Sequence, residues 1–240
     1  MLVLIDVGNT RCKYLTVFQG QRSQVTYCEN DKIADNWLTE TFLEATEVIL
    51  ANVNDDEISN IISSWADKRA IAFQLLNTCH QQFELTCAYE NPSKLGIDRW
   101  LVMLAASFLF PQKACLVIDA GTATTLDVIS PQGQHLGGWI MPGIELLFNS
   151  LVDNTNKIDA TKNNIPSLLL GESTSDCVNN GAWALTLGAI ALQQKSLKAL
   201  YPELEIIITG GNSQRIASLI DYSHHVIDEL VFIGMQRFSN

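Results

Sequence analysis

The sequence lacks any run of lysine and arginine residues, and its overall charge is strongly acidic. The 240 residues carry a formal net charge of −11 at pH 7. A general nucleic-acid-binding protein needs a basic face, so we expect no nucleic-acid partner. Any polyanionic ligand would have to be held by local features, such as backbone N–H groups and a metal ion.

Long hydrophobic runs are also missing. No stretch approaches the roughly 18 apolar residues that a membrane-spanning helix needs. The apolar N-terminus has no basic residues before it, and Asp6 interrupts it early, which does not fit a signal peptide. We therefore expect a cytoplasmic protein with no membrane partner.

Cysteine and histidine occur without metal-ligand spacing. There is no C-x-x-C pair, and the four histidines form no ligand pattern. We expect the cysteines to be free thiols in a reducing cytosol and the histidines to be surface residues or locally hydrogen-bonded. The cysteines are Cys12, Cys28, Cys79, Cys87, Cys115 and Cys177.

Several common catalytic and nucleotide-binding motifs are absent. The sequence contains no G-x-x-x-x-G-K-[ST], G-x-G-x-x-G, H-E-x-x-H or G-x-S-x-G. A phosphate-binding function would therefore have to use other turns.

A repeated pattern is the main feature that is present. Leu116-Val117-Ile118-Asp119-Ala120-Gly121-Thr122-Ala123 repeats the pattern of Val3 to Thr10, and each copy opens a strand-strand-strand-helix order. This predicts two related α/β lobes, residues 1–112 and 113–240, with a central cleft lined by both Asp-x-Gly turns. The polar stretch 153–166 is predicted to be a flexible loop.

The first turn, Asp6 to Lys13, suits phosphate binding. Gly8 lets the backbone approach a ligand and present its N–H groups. Lys13 could add a point charge, and Asp6 is compatible with phosphate if a hydrated Mg²⁺ lies between them. For one such turn alone, a plain β-hairpin with polar turn residues is the better explanation, and only the second copy favours the ligand site.

Two carboxylates lie close to the second turn. Asp119 ends a strand, and Asp127 lies within an apolar strand, where an ionised carboxylate must be paired, hydrogen-bonded or near a cation. The alternative, an Asp127 on an edge strand facing water, is equally compatible with the sequence.

Gly96-Ile97-Asp98-Arg99 begins an apolar helix. Asp98 in its first turn is stabilised by the helix dipole, which is a sufficient structural explanation. The functional alternative is that Asp98 accepts the proton of an attacking hydroxyl while Arg99 binds a substrate carboxylate.

Ser173 or Thr174 could cap a later helix, and Gly210-Gly211 could allow close approach of a base or ribose.

The motif series D-V-G-N-T-R-C-K, G-I-D-R-W, D-A-G-T-A-T-T-L-D, G-G-W-I-M-P-G and G-E-S-T resembles type III pantothenate kinase. That family belongs to the superfamily of acetate and sugar kinases, heat-shock chaperones and actin. The resemblance implies an α/β, duplicated ribonuclease H-like (actin-like ATPase) fold. It also implies ATP-dependent phosphorylation of pantothenate to 4'-phosphopantothenate, the first step of coenzyme A biosynthesis.

The same resemblance implies a role for each matched residue. Asp98 would be the catalytic base, Asp119 would bind a monovalent cation (K⁺ or NH₄⁺), and the protein would be a homodimer that also uses Mg²⁺. The implied ATP contacts are Asp6, Val7, Gly8, Asn9, Thr10, Arg11, Cys12, Lys13 and Thr122. The implied pantothenate contacts are Tyr89, Gly96, Ile97, Asp98, Arg99 and Thr174.

Other functions stay open on the sequence. Another small-molecule kinase of the superfamily, acting on a sugar or a carboxylate, would carry the same Asp-x-Gly turns. A nucleotide-dependent regulatory accessory factor is the non-enzymatic alternative, although the acidic charge and the absence of a DNA-binding motif argue against direct DNA binding. A degenerate enzyme that binds ATP without turnover would be expected to lose Asp6, Lys13, Asp98 or Asp119, and all four are present.

Overall fold

A computed structural model describes residues 1–239, which form two compact units. The first comprises Met1–Phe83, Tyr89–Ala105 and the chain from Glu229, and the second comprises Glu84–Ala88 and Ala106–Asp228. The chain therefore passes between the units more than once, and the division at 112/113 stays a prediction. The helices are α1 (Asp35–Thr41), α2 (Asp56–Lys68), α3 (Ile97–Leu109), α4 (Ile144–Asn154), α5 (Thr174–Leu200), α6 (Ser213–Ala217) and α7 (Leu230–Gln236).

Thirteen strands occur among the described residues, and most of them belong to two sheets. They are β1 (Leu2–Val7), β2 (Arg11–Phe18), β3 (Gln21–Arg22), β4 (Thr26–Glu29), β5 (Glu47–Asn52), β6 (Ala72–Leu75), β7 (Gln81–Gln82), β8 (Leu85–Thr86), β9 (Cys115–Ala120), β10 (Ala123–Ile129), β11 (His135–Pro142), β12 (Glu205–Thr209) and β13 (His225–Val226). The central strands β1, β5, β9 and β12 are largely buried, and their apolar, β-branched sequences are typical of strands that are covered on both faces.

The sheet of the first unit has β1 at its centre. Its order is β3-β2-β1-β5-β6, with β4 also paired to β2. β1 pairs antiparallel with β2 and parallel with β5, which in turn pairs parallel with β6. The carboxyl ends of β1 and β5 therefore lie side by side, and this places the residues that follow β5 next to the turn that follows β1.

The sheet of the second unit repeats this topology. Its order is β11-β10-β9-β12-β13, with β9 antiparallel to β10 and parallel to β12. The strands that end in Asp-x-Gly, β1 and β9, occupy the same central position in the two sheets. The two related α/β units that the repeat predicted, and the duplicated ribonuclease H-like fold that the resemblance implied, are thus confirmed.

Each sheet packs its helices over a separate apolar core. In the first unit, α2 contributes Ile58, Ile62 and Trp65 at helical spacing, and the Asp55 side chain caps that helix by accepting the Glu57 N–H at 3.2 Å. In the second unit, α5 contributes Trp183 and Ile190 among others. No helix within residues 1–239 has both the length and the apolar character needed to cross a bilayer.

Candidate active-site residues

Side chains alternate between the two faces of a strand, which decides on which face of the sheet each residue next to the first Asp-x-Gly turn lies. Asp6 lies opposite Lys13 in the β1–β2 register, and Val7 lies opposite Cys12. Val7 and Cys12 belong to the apolar core, so Asp6 and Lys13 share the other face of the sheet. Asp6 is only 7% exposed, and Lys13 is half-buried. The turn thus presents one carboxylate and one ammonium group on the same face.

The Cys12 side chain lies away from that face. Burial, together with the neighbouring Cys28 and Asp6, raises the pKa of the Cys12 thiol to about 12. Val7 is also fully buried. A contact from either residue to ATP would therefore come from the backbone, whereas Asn9, Thr10 and Arg11 are exposed.

Two asparagines that lie outside the sequence motifs support this turn. Asn30 donates from Nδ2 to the Gly8 carbonyl at 2.9 Å, and Asn54 donates from Nδ2 to the Asn9 carbonyl at 3.0 Å. Asn54 comes shortly after β5. A prediction that β5 runs parallel to β1 could have identified it, because the residues after two such strands meet at one sheet edge.

The structure places Asp98 in the first turn of α3. Its Oδ1 accepts the backbone N–H of Arg99 at 2.8 Å, and its side chain is half-exposed. Gly96 lies directly against this carboxylate, since a Cβ at that position would lie 2.5 Å from Asp98 Oδ1. Gly96 therefore allows the Asp98 side chain to fold back over the helix N-terminus.

Two of the residues predicted to bind pantothenate contact each other. Arg99 donates from Nη1 to the Tyr89 hydroxyl at 3.1 Å, and its guanidinium lies 5.9 Å from the centre of the Tyr89 ring. Arg99 is only 4% exposed. A buried guanidinium in a fixed orientation suits recognition of a carboxylate.

The second Asp-x-Gly turn holds Asp119 between two threonines. In the sheet register, Asp119 lies opposite Thr125 on β10 and Thr209 on β12. Gly210 has a φ of +90°, and a Cβ there would lie 2.4 Å from Asp119 Oδ1. The close approach of a backbone to the carboxylate therefore requires glycine at 210, which is a more specific reason than the sequence supplied.

Glycine is also required where the chain packs on this turn. Gly143 donates its N–H to the Thr122 carbonyl at 3.0 Å, and a Cβ on Gly143 would lie 2.5 Å from the carbonyl oxygens of Gly121 and Thr122. Thr122 itself is exposed. The start of α4 therefore packs against the carbonyl groups of Gly121 and Thr122 and leaves the Thr122 side chain accessible.

Metal ligands are not clustered. Among residues 1–239, no group of three or more His, Cys, Asp or Glu side chains is close enough to hold a metal ion. A cation bound at Asp119 would need further oxygen ligands from the backbone, hydroxyl groups, water or a bound phosphate.

Thr174 is the first residue of α5 and is exposed. The cap of α5 is Ser173, whose hydroxyl accepts the Asp176 N–H at 3.1 Å, so the Thr174 hydroxyl is not used as the cap. The preceding polar loop is tied to the same helix: Asn179 accepts the Asn163 N–H at 3.1 Å and donates to the Thr161 carbonyl at 2.9 Å.

Asp127 forms a buried pair with His135. Asp127 Oδ1 lies 3.0 Å from His135 Nε2, and the two side chains are 1% and 0% exposed. On the other side of the ring, the Ala88 N–H lies 3.5 Å from Nδ1. Of the alternatives left open for Asp127, the structure supports the hydrogen-bonded one over the carboxylate facing water.

Replacing Asp127 with alanine is expected to lower the free energy of unfolding by about 3 kcal/mol, because the buried His135 ring would lose its carboxylate partner. Denaturant unfolding of the variant measures this. Asp153→Ala, at an exposed position in α4, is the matched control. Equal stability of the two variants would contradict a structural role for the buried pair.

Solved structures of other proteins share this fold. It superposes on the structure of a candidate 2-dehydro-3-deoxygalactonokinase from Sinorhizobium meliloti with a TM-score of 0.64 and 10% identity, covering 99% of this chain and 97% of that one. A structure described as a conserved candidate Baf family transcriptional activator from Campylobacter jejuni gives a TM-score of 0.63 and 23% identity, covering 98% and 96%. Identities this low show the shared fold only.

Sequence comparison defines the family. The family model of type III pantothenate kinase matches residues 2–195. The type III pantothenate kinase of Colwellia psychrerythraea is 36% identical over the full length of both chains. That of Pseudoalteromonas translucida is 39% identical over 88% of this chain and 85% of its own. The chain belongs to the type III pantothenate kinase family, and it is a kinase.

Proposed function

We propose that this protein transfers a phosphoryl group from ATP to pantothenate, giving 4'-phosphopantothenate in the first step of coenzyme A biosynthesis. The observation that carries the proposal is the 36% identity to a type III pantothenate kinase over the full length of both chains. The residues matched by motif are all present in the sequence.

For ATP, we propose that the turn from Asp6 to Lys13 binds the phosphates and that Thr122 adds a contact. Lys13 would supply a positive charge, while the backbone N–H groups of the turn would supply neutral donors. The Asp6 carboxylate is a suitable oxygen ligand for a hydrated Mg²⁺, and this ion would neutralise phosphate charge. The pairing of Asp6 and Lys13 on one face of the sheet supports this assignment.

For pantothenate, we propose that Asp98 accepts the proton of the attacking hydroxyl. Its Oδ1 accepts the Arg99 N–H, which fixes the carboxylate at the start of α3 in a defined orientation for proton transfer. Arg99, oriented by Tyr89, would bind the pantothenate carboxylate. Gly96, Ile97 and Thr174 complete the proposed substrate contacts. Positioning and charge stabilisation are the main requirements of phosphoryl transfer.

Asp119 is proposed to bind K⁺ or NH₄⁺. Replacing it with asparagine is expected to remove most of the stimulation by potassium and to lower kcat/KM by about tenfold or more, ~1.4 kcal/mol of transition-state stabilisation. Coupled ADP release measured in potassium, ammonium and sodium tests this. A variant that keeps the full potassium response would contradict the assignment.

The remaining features follow the family resemblance. We propose a cytoplasmic homodimer whose partners are small molecules, without nucleic acid or membrane. The acidic net charge of −11 supports the absence of a nucleic-acid partner, since nucleic-acid-binding proteins need a basic surface.

A substrate screen tests the function against other kinases of the superfamily. With ATP and Mg²⁺, ADP release should depend on pantothenate and should not respond to glucose or acetate. A preference for glucose or acetate would assign the protein to another activity of the superfamily. A folded protein that binds ATP but turns over none of the three would support the regulatory alternative.

A further inference from the structure

The turn proposed to bind phosphate is held from one side by asparagine side chains. Asn30 Nδ2 donates to the Gly8 carbonyl at 2.9 Å. Asn54 Nδ2 is shared between two acceptors, the Asn9 carbonyl at 3.0 Å and the Gly8 carbonyl at 3.3 Å. Two consecutive carbonyl groups of the turn are therefore fixed by side-chain amides that come from elsewhere in the sequence.

The position of Asn54 is itself fixed by Asn52, the last residue of β5. Asn52 Oδ1 accepts the Asn54 N–H at 2.8 Å. Asn52 Nδ2 donates to the Asp55 carbonyl at 2.8 Å and to the Ser59 hydroxyl at 2.7 Å, which anchors it to the start of α2. Asn54 therefore approaches the turn from a rigid strand end.

The orientation of these carbonyls decides where the turn's N–H groups point. In a trans peptide the C=O of one residue and the N–H of the next point in opposite directions. Because the Gly8 and Asn9 carbonyls point toward the asparagines, the N–H groups of Asn9 and Thr10 point away from them. The Gly8 N–H is used inside the turn, where the Arg11 carbonyl accepts it at 3.1 Å.

We propose that Asn54, supported by Asn30, is a positioning residue for the triphosphate of ATP. The two asparagines orient the Asn9 and Thr10 N–H groups as phosphate donors without touching the nucleotide. The inference rests on the proposed role of this turn, and it assigns two residues that the motif D-V-G-N-T-R-C-K does not contain. Two fixed backbone donors also reduce the need for bulk positive charge in an acidic protein.

Replacing Asn54 with alanine is expected to weaken ATP binding about tenfold, because the turn loses the two hydrogen bonds that orient it. Asn30→Ala, which removes one bond, is expected to weaken it about threefold. Calorimetric titration with ATP and Mg²⁺ gives the affinities, and steady-state kinetics give the two KM values. The KM for ATP should rise while kcat and the KM for pantothenate stay unchanged.

Asn60→Ala provides the matched control, since Asn60 is exposed on the neighbouring α2 and the same side chain is removed there. Thermal unfolding of all variants checks that the fold is kept. Unchanged ATP affinity in Asn54→Ala would overturn the inference, as would a parallel loss of pantothenate affinity or of stability that explains the weaker ATP binding.

The result also separates this inference from the proposed function. If the wild type shows no turnover with pantothenate but Asn54→Ala still weakens ATP binding, the proposed function fails and the positioning role stands. If the wild type phosphorylates pantothenate and Asn54→Ala behaves like the wild type, only the positioning role fails. A wild type that does not bind ATP overturns both.

Discussion

Replacing Asp98 with asparagine is expected to lower kcat by about 10²–10⁴-fold, the usual contribution of a positioned general base. The substitution keeps an oxygen that can accept the Arg99 N–H, so the start of α3 should stay intact. Removal of the charge from the helix N-terminus should cost only about 0.3–1 kcal/mol of stability. ATP affinity should be unchanged.

Steady-state kinetics combined with ATP titration measure both effects. Asp56→Asn is the matched control, because Asp56 is also an acid in the first turn of a helix, α2, and is exposed. It should lose a similar small amount of stability and no activity. If Asp98→Asn keeps kcat within about tenfold of the wild type, below the range of general-base catalysis, the carboxylate serves only the helix N-terminus.

Replacing Gly210 with alanine is expected to lower the free energy of unfolding by about 3 kcal/mol, through a strained backbone and a steric overlap acting together. The backbone at Gly210 has a φ of +90°, and the new methyl group would lie 2.4 Å from Asp119 Oδ1. Either the strand end or the carboxylate must move, so any cation bound at Asp119 should also be weakened.

The adjacent glycine offers a direct control. A Cβ added at Gly211 would meet no atom within 4 Å beyond its chain neighbours, and the backbone φ there is not positive. Gly211→Ala should therefore change stability by no more than about 0.5 kcal/mol. Urea unfolding of the two variants gives the comparison. Equal stability would show that the Gly210 backbone can relax away from Asp119.

The architecture of each unit could be predicted from sequence because its signals are local. Short apolar strands that end in Asp-x-Gly occur twice, and each predicts a strand, a turn and a second strand. The structure confirms this in the matching strand orders around β1 and β9. The short strands β7 and β8 could not be predicted, since Gln81–Gln82 and Leu85–Thr86 are too brief to show alternation.

The supporting residues of the candidate site were less predictable. Asn30 and Asn54 are far from the turn in sequence and belong to no motif, so only the strand order brings them to it. The partner of Asp127 was ambiguous for a similar reason, because His135 lies across a hairpin, on the neighbouring strand. The sequence could not predict that Val7 and Cys12 lie in the core, because this depends on the strand register, which composition does not fix.

Identification of the reaction product is the decisive test of the proposed activity. Wild-type protein incubated with ATP, Mg²⁺, potassium and pantothenate should form ADP and 4'-phosphopantothenate in equal amounts, as measured by mass spectrometry of the quenched reaction. Omitting pantothenate should abolish both products. ADP formation without phosphorylated pantothenate, or no product from a folded protein that binds ATP, would contradict the assignment of this chain as a pantothenate kinase.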